Sequence, residues 1–321
     1  MLIVMEQPTV VDELRAACAE VARRARSVRV QEAMIAPYAV ALDLRGPRDD
    51  SGEAGVAGDD AALGGASRAD RAAYWLTLDA INFGSGWFPT LRKPDGRSGY
   101  GTIAAGWRRR FEQHGPFAAA ELAELAPAHV AVILGQDPGH ELMELFALSL
   151  RDLGAWLLSD FGGEVLALVD GAGGSAVRFA DTLGGRPCFA DRSRYEELSI
   201  PFLKRAQIAA ADLARAGVAV WTDAARLTMF ADNLVPHVLR LDGVLEFDPG
   251  LVARIETGEL IEHGSPEEVE IRACALHAVE LIVASRGGAA TAAAVDQLLW
   301  QRGQSPRYKA VPRHRSRTTA Y

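Results

Sequence analysis

The stretch LTMFADNLVPHVLR, residues 227–240, reads as a helix whose apolar surface is almost continuous. A 3.6-residue period puts Leu227, Phe230, Ala231, Leu234, Val238 and Leu241 on one stripe. Asp232 falls off that stripe, yet its neighbours are Thr228, Val235, Pro236 and Leu239, so the second face is apolar too. Pro236 has no N–H to offer the carbonyl four residues back, and that carbonyl belongs to Asp232. The pattern predicts a helix that kinks or loosens where the acid sits. Two readings of the carboxylate compete: a charge that snorkels to water, and a working group held in a dry pocket.

Outward from this segment, helical patterns dominate. VVDELRAACAEVARRARSV is amphipathic, RAAYWLTLDAINF and GTIAAGWRRRFEQHG flank a glycine-rich turn, and PGHELMELFALSLRDLGAWLLSDFGG is long and strongly periodic. SPEEVEIRACALHAVELIVASRGG opens with Ser265 as helix cap and Pro266 at the first helical position. The apolar runs of GEVLALVDGAGGSAVRFADTLGGRPCFAD fit strands or alanine-rich helix equally well. Residues 46–70, rich in Gly, Asp and Ala without periodicity, read as a flexible loop or at most a short helix, able to cover a site. No β-α-β alternation appears. The expected fold is a mainly α globule with at most a small sheet or irregular insert around residues 160–192. Residues 1–321 are expected to form one domain, or two lobes that share a core with the active site between them.

The composition narrows the function classes. Of 321 residues, 49% are hydrophobic and 24% charged, ordinary values for a soluble globular protein. No apolar run reaches the roughly 18 to 20 residues a membrane span needs, and the start of the chain lacks a secretory pattern, so a cytoplasmic location is expected. The three cysteines are far apart and contain no C-x-x-C. The seven histidines form no H-x-x-x-H or H-E-x-x-H, and a metal site has no support. A net charge of −8 has the wrong sign for holding extended nucleic acid, although one small phosphate remains feasible.

Three further segments hold candidate chemistry. In PFLKRAQIAAADL, Leu203, Ala206, Ala210 and Leu213 form a thin stripe suited to close packing, and Lys204 shares the adjacent half-apolar face with Gln207. A lysine there ordinarily lays its stem on apolar groups and sends its ammonium to water. Opposite Asp232 it would instead form a Lys–Asp pair in a cleft, fit for acid–base or nucleophilic work. In DAINFGSGWF, Asp79 and Asn82 suit the edge of a planar base and Phe83 and Trp87 its face, while the glycines double as a helix cap. The tail PRHRSRTTAY is basic: either disordered, or an arginine clamp for an anion. P-loop, dinucleotide-binding and G-x-S-x-G patterns are absent.

Taken in order, LDAINFGSGWF, FLKRAQIAAADL, LTMFADNLVPHVL, EIRACALHAVELI, DQLLW and PRHRSRTTAY resemble the queuosine salvage protein family, from about residue 70 onward. The combination F-x-K-R-A-Q-I, F-A-D-x-x-V-P and P-x-H-R-x-R-x-x-x-Y is specific, whereas each part alone is weak. The resemblance implies a fold like that of helical DNA glycosylases and hydrolysis of the N-glycosidic bond of queuosine 5′-phosphate to release queuine. It implies Asp232 as base and charge stabiliser and Lys204 as its electrostatic partner, with no metal or organic cofactor. Phe83 and Trp87 or Trp300 would face the base, with Asp79 and Asn82 reading its edge. Arg315, Arg317 and Tyr321 are candidates for the 5′-phosphate. The competing classes are a nucleic-acid glycosylase, for which LDGVL (residues 241–245) faintly resembles a hairpin, and a non-catalytic binder of a modified nucleoside.

Overall fold

A computed structural model describes residues 7–43 and 63–321, and the chain divides into two compact units. Unit one comprises Met1–Arg48, Arg192–Phe202 and Ala225–Arg315; unit two comprises Asp49–Asp191, Leu203–Ala224 and Ser316–Tyr321. The helices that position the residues singled out above are α1 (Val10–Arg24), α2 (Arg68–Ala80), α3 (Glu141–Phe161), α4 (Lys204–Arg215), α5 (Leu234–Leu241) and α6 (Pro266–Ser285). Among the described residues the strands are short: β1 (Val28–Val30), β2 (Ser193–Tyr195), β3 (Leu198–Ile200) and β4 (Leu245–Phe247).

The mainly α expectation holds, with the small β content displaced. The 160–192 segment is helical at Val165–Gly171 and Ala176–Gly184, and the strands flank it or lie far away. Strand β1 pairs antiparallel with β4, Val28 opposite Phe247, and β2 with β3, Ser193 opposite Ile200. LDGVL leads from α5 into β4. Of the glycine- and aspartate-rich stretch, residues 46–62 lie outside the described residues. Its end starts α2, where Ser67 accepts from the Asp70 N–H and the Asp70 carboxylate accepts from the Ser67 N–H.

Helix α6 runs through the core of unit one, packed by α1, the Glu32–Ala41 helix and β1. It is buried on all sides, which makes its charges the informative residues: Glu268, Glu270 and Arg272 are each at most 1% exposed. Burial of that kind persists only when the charge is paired or hydrogen-bonded. Glu270 accepts through Oε2 from the Arg26, Ser27 and Val28 N–H groups (3.0, 2.6 and 3.2 Å) and through Oε1 from the Tyr195 hydroxyl (2.7 Å). One carboxylate thus closes the turn from α1 into β1 and ties it to the β2–β3 hairpin.

In unit two, α4 packs against α2 and the Ala176–Gly184 helix, and α3 carries Leu142, Met143, Phe146, Leu150 and Leu153 into the core. The last described residues are ordered. Ser316, Thr318, Ala320 and Tyr321 are buried, so the disordered reading of the basic tail does not hold.

Replacing Glu270 by Ala leaves three N–H groups without their acceptor, that of Val28 buried and those of Arg26 and Ser27 partly so, and an unpaired buried donor is worth about 1–3 kcal/mol. Denaturant unfolding of Glu270→Ala should show a loss of at least about 3 kcal/mol. A loss below about 1 kcal/mol would show that water replaces the carboxylate.

Candidate functional site

In unit two the chain turns sharply into α4. Leu203 takes φ 50, ψ 38, a left-handed conformation that costs a residue with a Cβ roughly 1–2 kcal/mol. Asp191 holds it there: its carbonyl accepts from the Leu203 N–H (3.1 Å) and its Oδ2 from the Lys204 N–H (2.9 Å). The Leu203 side chain lies flat on Gly184, where a Cβ would stand 2.4 Å from Leu203 Cδ2. The helix therefore starts at Lys204 and aims that side chain inward. Lys204 is 5% exposed and donates from Nζ to the Asn82 carbonyl (3.0 Å) and the Asn82 Oδ1 (3.3 Å). It does not snorkel.

Asp79 belongs to the same neighbourhood. It is fully buried on α2, where neither carboxyl oxygen has a partner at hydrogen-bond geometry among the described residues and the Asn82 side chain is a polar influence that favours its charged form. Burial pushes its pKa well above the carboxylate range and nearby Asp212 adds to the effect, while Lys204 and Arg215 pull it back. Phe83 lies in the interior, edge-on to Phe146 with ring centroids 4.9 Å apart.

Arg205, the next residue along α4, covers Phe83 from 4.9 Å and Phe189 from 5.4 Å. Its guanidinium donates to the carbonyls of Ala80 (2.7 Å), Cys188 (2.5 Å) and Ala320 (3.3 Å). Desolvation lowers its pKa to about 10, with Cys188, Asp191 and Asp79 opposing the shift. The Ala80 carbonyl ends α2 and has no helical partner, so one buried cation closes a helix, a loop and the tail together.

The glycine turn after Asn82 receives that tail. Gly84 donates its N–H to the Tyr321 carbonyl (3.1 Å), and a Cβ on Gly86 would stand 2.5 Å from the Ser316 carbonyl oxygen. The turn exists for close backbone approach, since α2 has already ended at Ala80. Trp87 donates from Nε1 to Glu141 Oε2 (2.7 Å), and exposed Arg317 reaches the same oxygen at 3.4 Å while lying 5.7 Å from the Trp87 ring centre. The Tyr321 hydroxyl lies 3.1 Å from the Ser316 Oγ.

In unit one, the expected helix over 227–240 is only half a helix. Residues 227–233 are irregular and α5 begins at Leu234. Pro236 falls in the first turn, where a missing N–H costs nothing, so there is no kink. Asp232 captures the free N–H groups of that turn, accepting through Oδ1 from Leu234 (2.8 Å) and Val235 (3.1 Å). Its other oxygen, Oδ2, has no hydrogen-bond partner among the described residues. The side chain is half-buried, between buried Ala231 and buried Asn233. Side chains from afar satisfy the irregular backbone: Asp296 Oδ1 accepts from the Phe230 N–H (3.0 Å), Arg272 Nε donates to the Ala231 carbonyl (2.9 Å), and Asn233 Nδ2 donates to the His314 carbonyl (3.1 Å). Half-buried Arg313 feels the Asp232 charge, which offsets part of its desolvation.

Of the expected site residues, the structure brings Lys204, Asn82 and Asp79 into one neighbourhood of unit two, and Trp87, Arg317 and Tyr321 around the glycine turn of the same unit. Asp232, Trp300 and Arg315 belong to unit one. Trp300 packs half-buried against that unit's core, and Arg315 donates to the Gly258 carbonyl at 3.4 Å. Sequence reasoning missed Arg205, Arg272, Glu268 and Asp296. The one available signal was a Glu-x-x-x-Arg pair inside a helix apolar on every face.

Residues 65–321 match the family model described as queuosine salvage protein. A protein of Sphaerobacter thermophilus named queuosine 5′-phosphate N-glycosylase/hydrolase is 38% identical over 260 residues, 77% of this chain and 80% of that one. Proteins of the same name from Mus musculus and Dictyostelium discoideum are each 31% identical, the first over 70% of this chain and 72% of its own length, the second over 78% of both. The chain belongs to the queuosine salvage protein family.

Two outcomes test the geometry. Gly184→Ala should lower the unfolding free energy by about 1–3 kcal/mol, because the new methyl strikes Leu203, although alanine is the better helix former. Equal or higher stability would show that Gly184 does not hold the left-handed turn.

The second concerns acid. Burial lowers the pKa of His314 to about 3 and of His237 to about 4, below the ordinary 6.5. The unfolded chain binds these protons first, so stability should fall as pH drops from about 6.5 toward 4, by roughly 1.4 kcal/mol per pH unit per histidine. For Glu268, burial alone would raise the pKa, but Arg272, His263 and the Gly264 N–H hold it at about 2, adding a further loss below about 4.5. Unfolding free energies measured from pH 7 to 4 should be flatter in His314→Gln; an unchanged slope would exclude His314.

Proposed function

We propose that this protein hydrolyses the N-glycosidic bond of queuosine 5′-phosphate and releases queuine for salvage into tRNA modification. The observation that carries the reaction is the match, over more than two thirds of both chains, to relatives named for it. The three free cysteines, all buried, suit the reducing cytoplasm.

The residue roles rest on local geometry. Breaking a ribosyl–nitrogen bond builds positive charge on the sugar, which a fixed carboxylate stabilises. Asp232 has one oxygen anchored by two helix N–H groups and the other unbonded, which suits a carboxylate that meets the sugar and the attacking water. Water adds its oxygen to C1′ as the bond to the base nitrogen breaks, and one water proton passes to Asp232. The bonding pair leaves with the base, which takes up a proton to emerge as queuine; ribose 5-phosphate is the other product. A 7-deazaguanine lacks the N7 that an acid protonates in ordinary purine nucleosides, so departure depends on the carboxylate and on hydrogen bonds elsewhere on the base.

Lys204 is assigned an electrostatic role, its ammonium fixed by Asn82. Asp79 and Asn82 are the edge readers; a buried carboxyl such as Asp79 is available to donate as a neutral acid. Trp87 is the preferred aromatic wall, because Phe83 is closed in by Phe146 and Arg205. Arg317, exposed and held at only 3.4 Å by Glu141, is the preferred phosphate donor.

The test incubates the protein with queuosine, its 5′-phosphate, guanosine 5′-phosphate and a lesion-bearing DNA duplex, following free base by chromatography with mass detection. Release from queuosine 5′-phosphate is expected; release only from DNA would overturn the reading. Asp232→Asn should cost about 10²–10⁴-fold in kcat, Lys204→Met less. Arg317→Ala should raise KM for the nucleotide but not for the nucleoside. Near-wild-type turnover in folded Asp232→Asn would remove that residue from the mechanism.

A further inference from the structure

We propose that Arg272 is the positioning residue of the reaction: it acts through the backbone of the Asp232 loop and holds the carboxylate at its working angle. The proposal rests on the reading of Asp232 as the catalytic carboxylate.

Residues 227–233 belong to no helix or strand, so each buried peptide group there needs a donor or acceptor from outside a backbone ladder. The carbonyl of Ala231 belongs to the peptide that leads into Asp232. Arg272 reaches it from α6 with Nε at 2.9 Å, a shorter contact than the 3.5 Å from its Nη1 to Glu268. The guanidinium is wholly buried and lies 3.9 Å from the ring centre of Phe202, so its plane is set before it meets the carbonyl. Glu268 is in turn fixed, accepting from the Gly264 N–H through Oε2 (3.0 Å), with His263 Nδ1 3.4 Å from Oε1. On the other side of Asp232, Asn233 clamps the His314 carbonyl. The peptide before the acid is pinned at its carbonyl, the residue after it through its side chain, and Oδ1 by α5. Rotation that would carry Oδ2 away from its target is therefore suppressed at three points. A small angular error in a charge-stabilising group is expensive, because catalysis depends on preorganisation.

Arg272→Lys tests this first. An ammonium keeps the charge beside Glu268 but lacks the fork that reaches both partners. Because a lone change risks unfolding through an unpaired Glu268, the charge-neutral pair Glu268→Gln/Arg272→Met is measured beside it. For variants shown to be folded by circular dichroism and a cooperative melt, kcat on queuosine 5′-phosphate should fall 10- to 100-fold with KM changed less than threefold. On an Asp232→Asn background the same changes should cost less than threefold more, since Arg272 acts through that carboxylate. Wild-type kcat in the folded neutral pair would overturn the proposal. So would full additivity with Asp232→Asn, which would assign Arg272 to general stability. If Asp232→Asn alone turns over like wild type, the assignment of Asp232 falls separately, and the proposal with it.

Discussion

A buried guanidinium is costly to desolvate, and it survives only where its N–H groups meet acceptors that would otherwise be unpaired. Both units of this protein are built on that exchange. Arg205 supplies donors to the Ala320, Ala80 and Cys188 carbonyls, sharing the last two with the Ser149 hydroxyl, and Arg272 donates to the peptide ahead of Asp232. Each lies over an aromatic ring, Phe83 and Phe202 respectively, which contributes attraction and fixes the plane. Lys204 is the residue next to Arg205 in the chain, and Asp232 the residue next to the carbonyl that Arg272 holds. The irregular backbone ahead of Asp232 is thus stiffened by a cation rather than by secondary structure, and the turn ahead of Lys204 by the carbonyl and carboxylate of Asp191.

Much of the helical scaffold was legible in the amino-acid order. The periodicity of α1, α3 and α6, and Ser265 capping α6 by accepting from the Glu268 N–H, follow from local rules that need no tertiary knowledge. The 227–233 segment was not legible. Apolar residues on every side read the same for a buried helix and for a buried irregular loop, because periodicity reports only which side faces water. What separates the two is Asp232 taking the first free N–H groups of α5, and donors and acceptors that arrive from Arg272 and Asp296, far along the chain.

The site residues divide along the same line. Asp232 and Lys204 stood out because a charge on an apolar face is locally odd. The buried arginines did not, since an arginine on a helix ordinarily reads as a solvated face; only the Glu268 four residues before it marked Arg272, and nothing short-range marked Arg205. The glycines of Gly84-Ser85-Gly86 were visible as a turn, but their purpose was hidden: the backbone they accommodate lies at Ser316 and Tyr321. Tail order was likewise invisible, because the Ala320 carbonyl is held by Arg205, more than a hundred residues earlier in the chain, and not by an apolar pattern within the tail.

That seating of the last described residues on the glycine turn bears on biogenesis. Unit two contains Ser316–Tyr321, and unit one contains everything from Ala225 to Arg315. A ribosome therefore releases α2, α3 and α4 long before the tail segment that completes them, and α1 long before α6. Neither unit can reach its native state vectorially, from first residue to last, and each must wait in a partly assembled form with apolar surface uncovered. A nascent chain halted ahead of residue 316 would leave Arg205 without its Ala320 acceptor and the Gly84–Gly86 slot open, a lesion that quality-control chaperones and proteases are equipped to recognise.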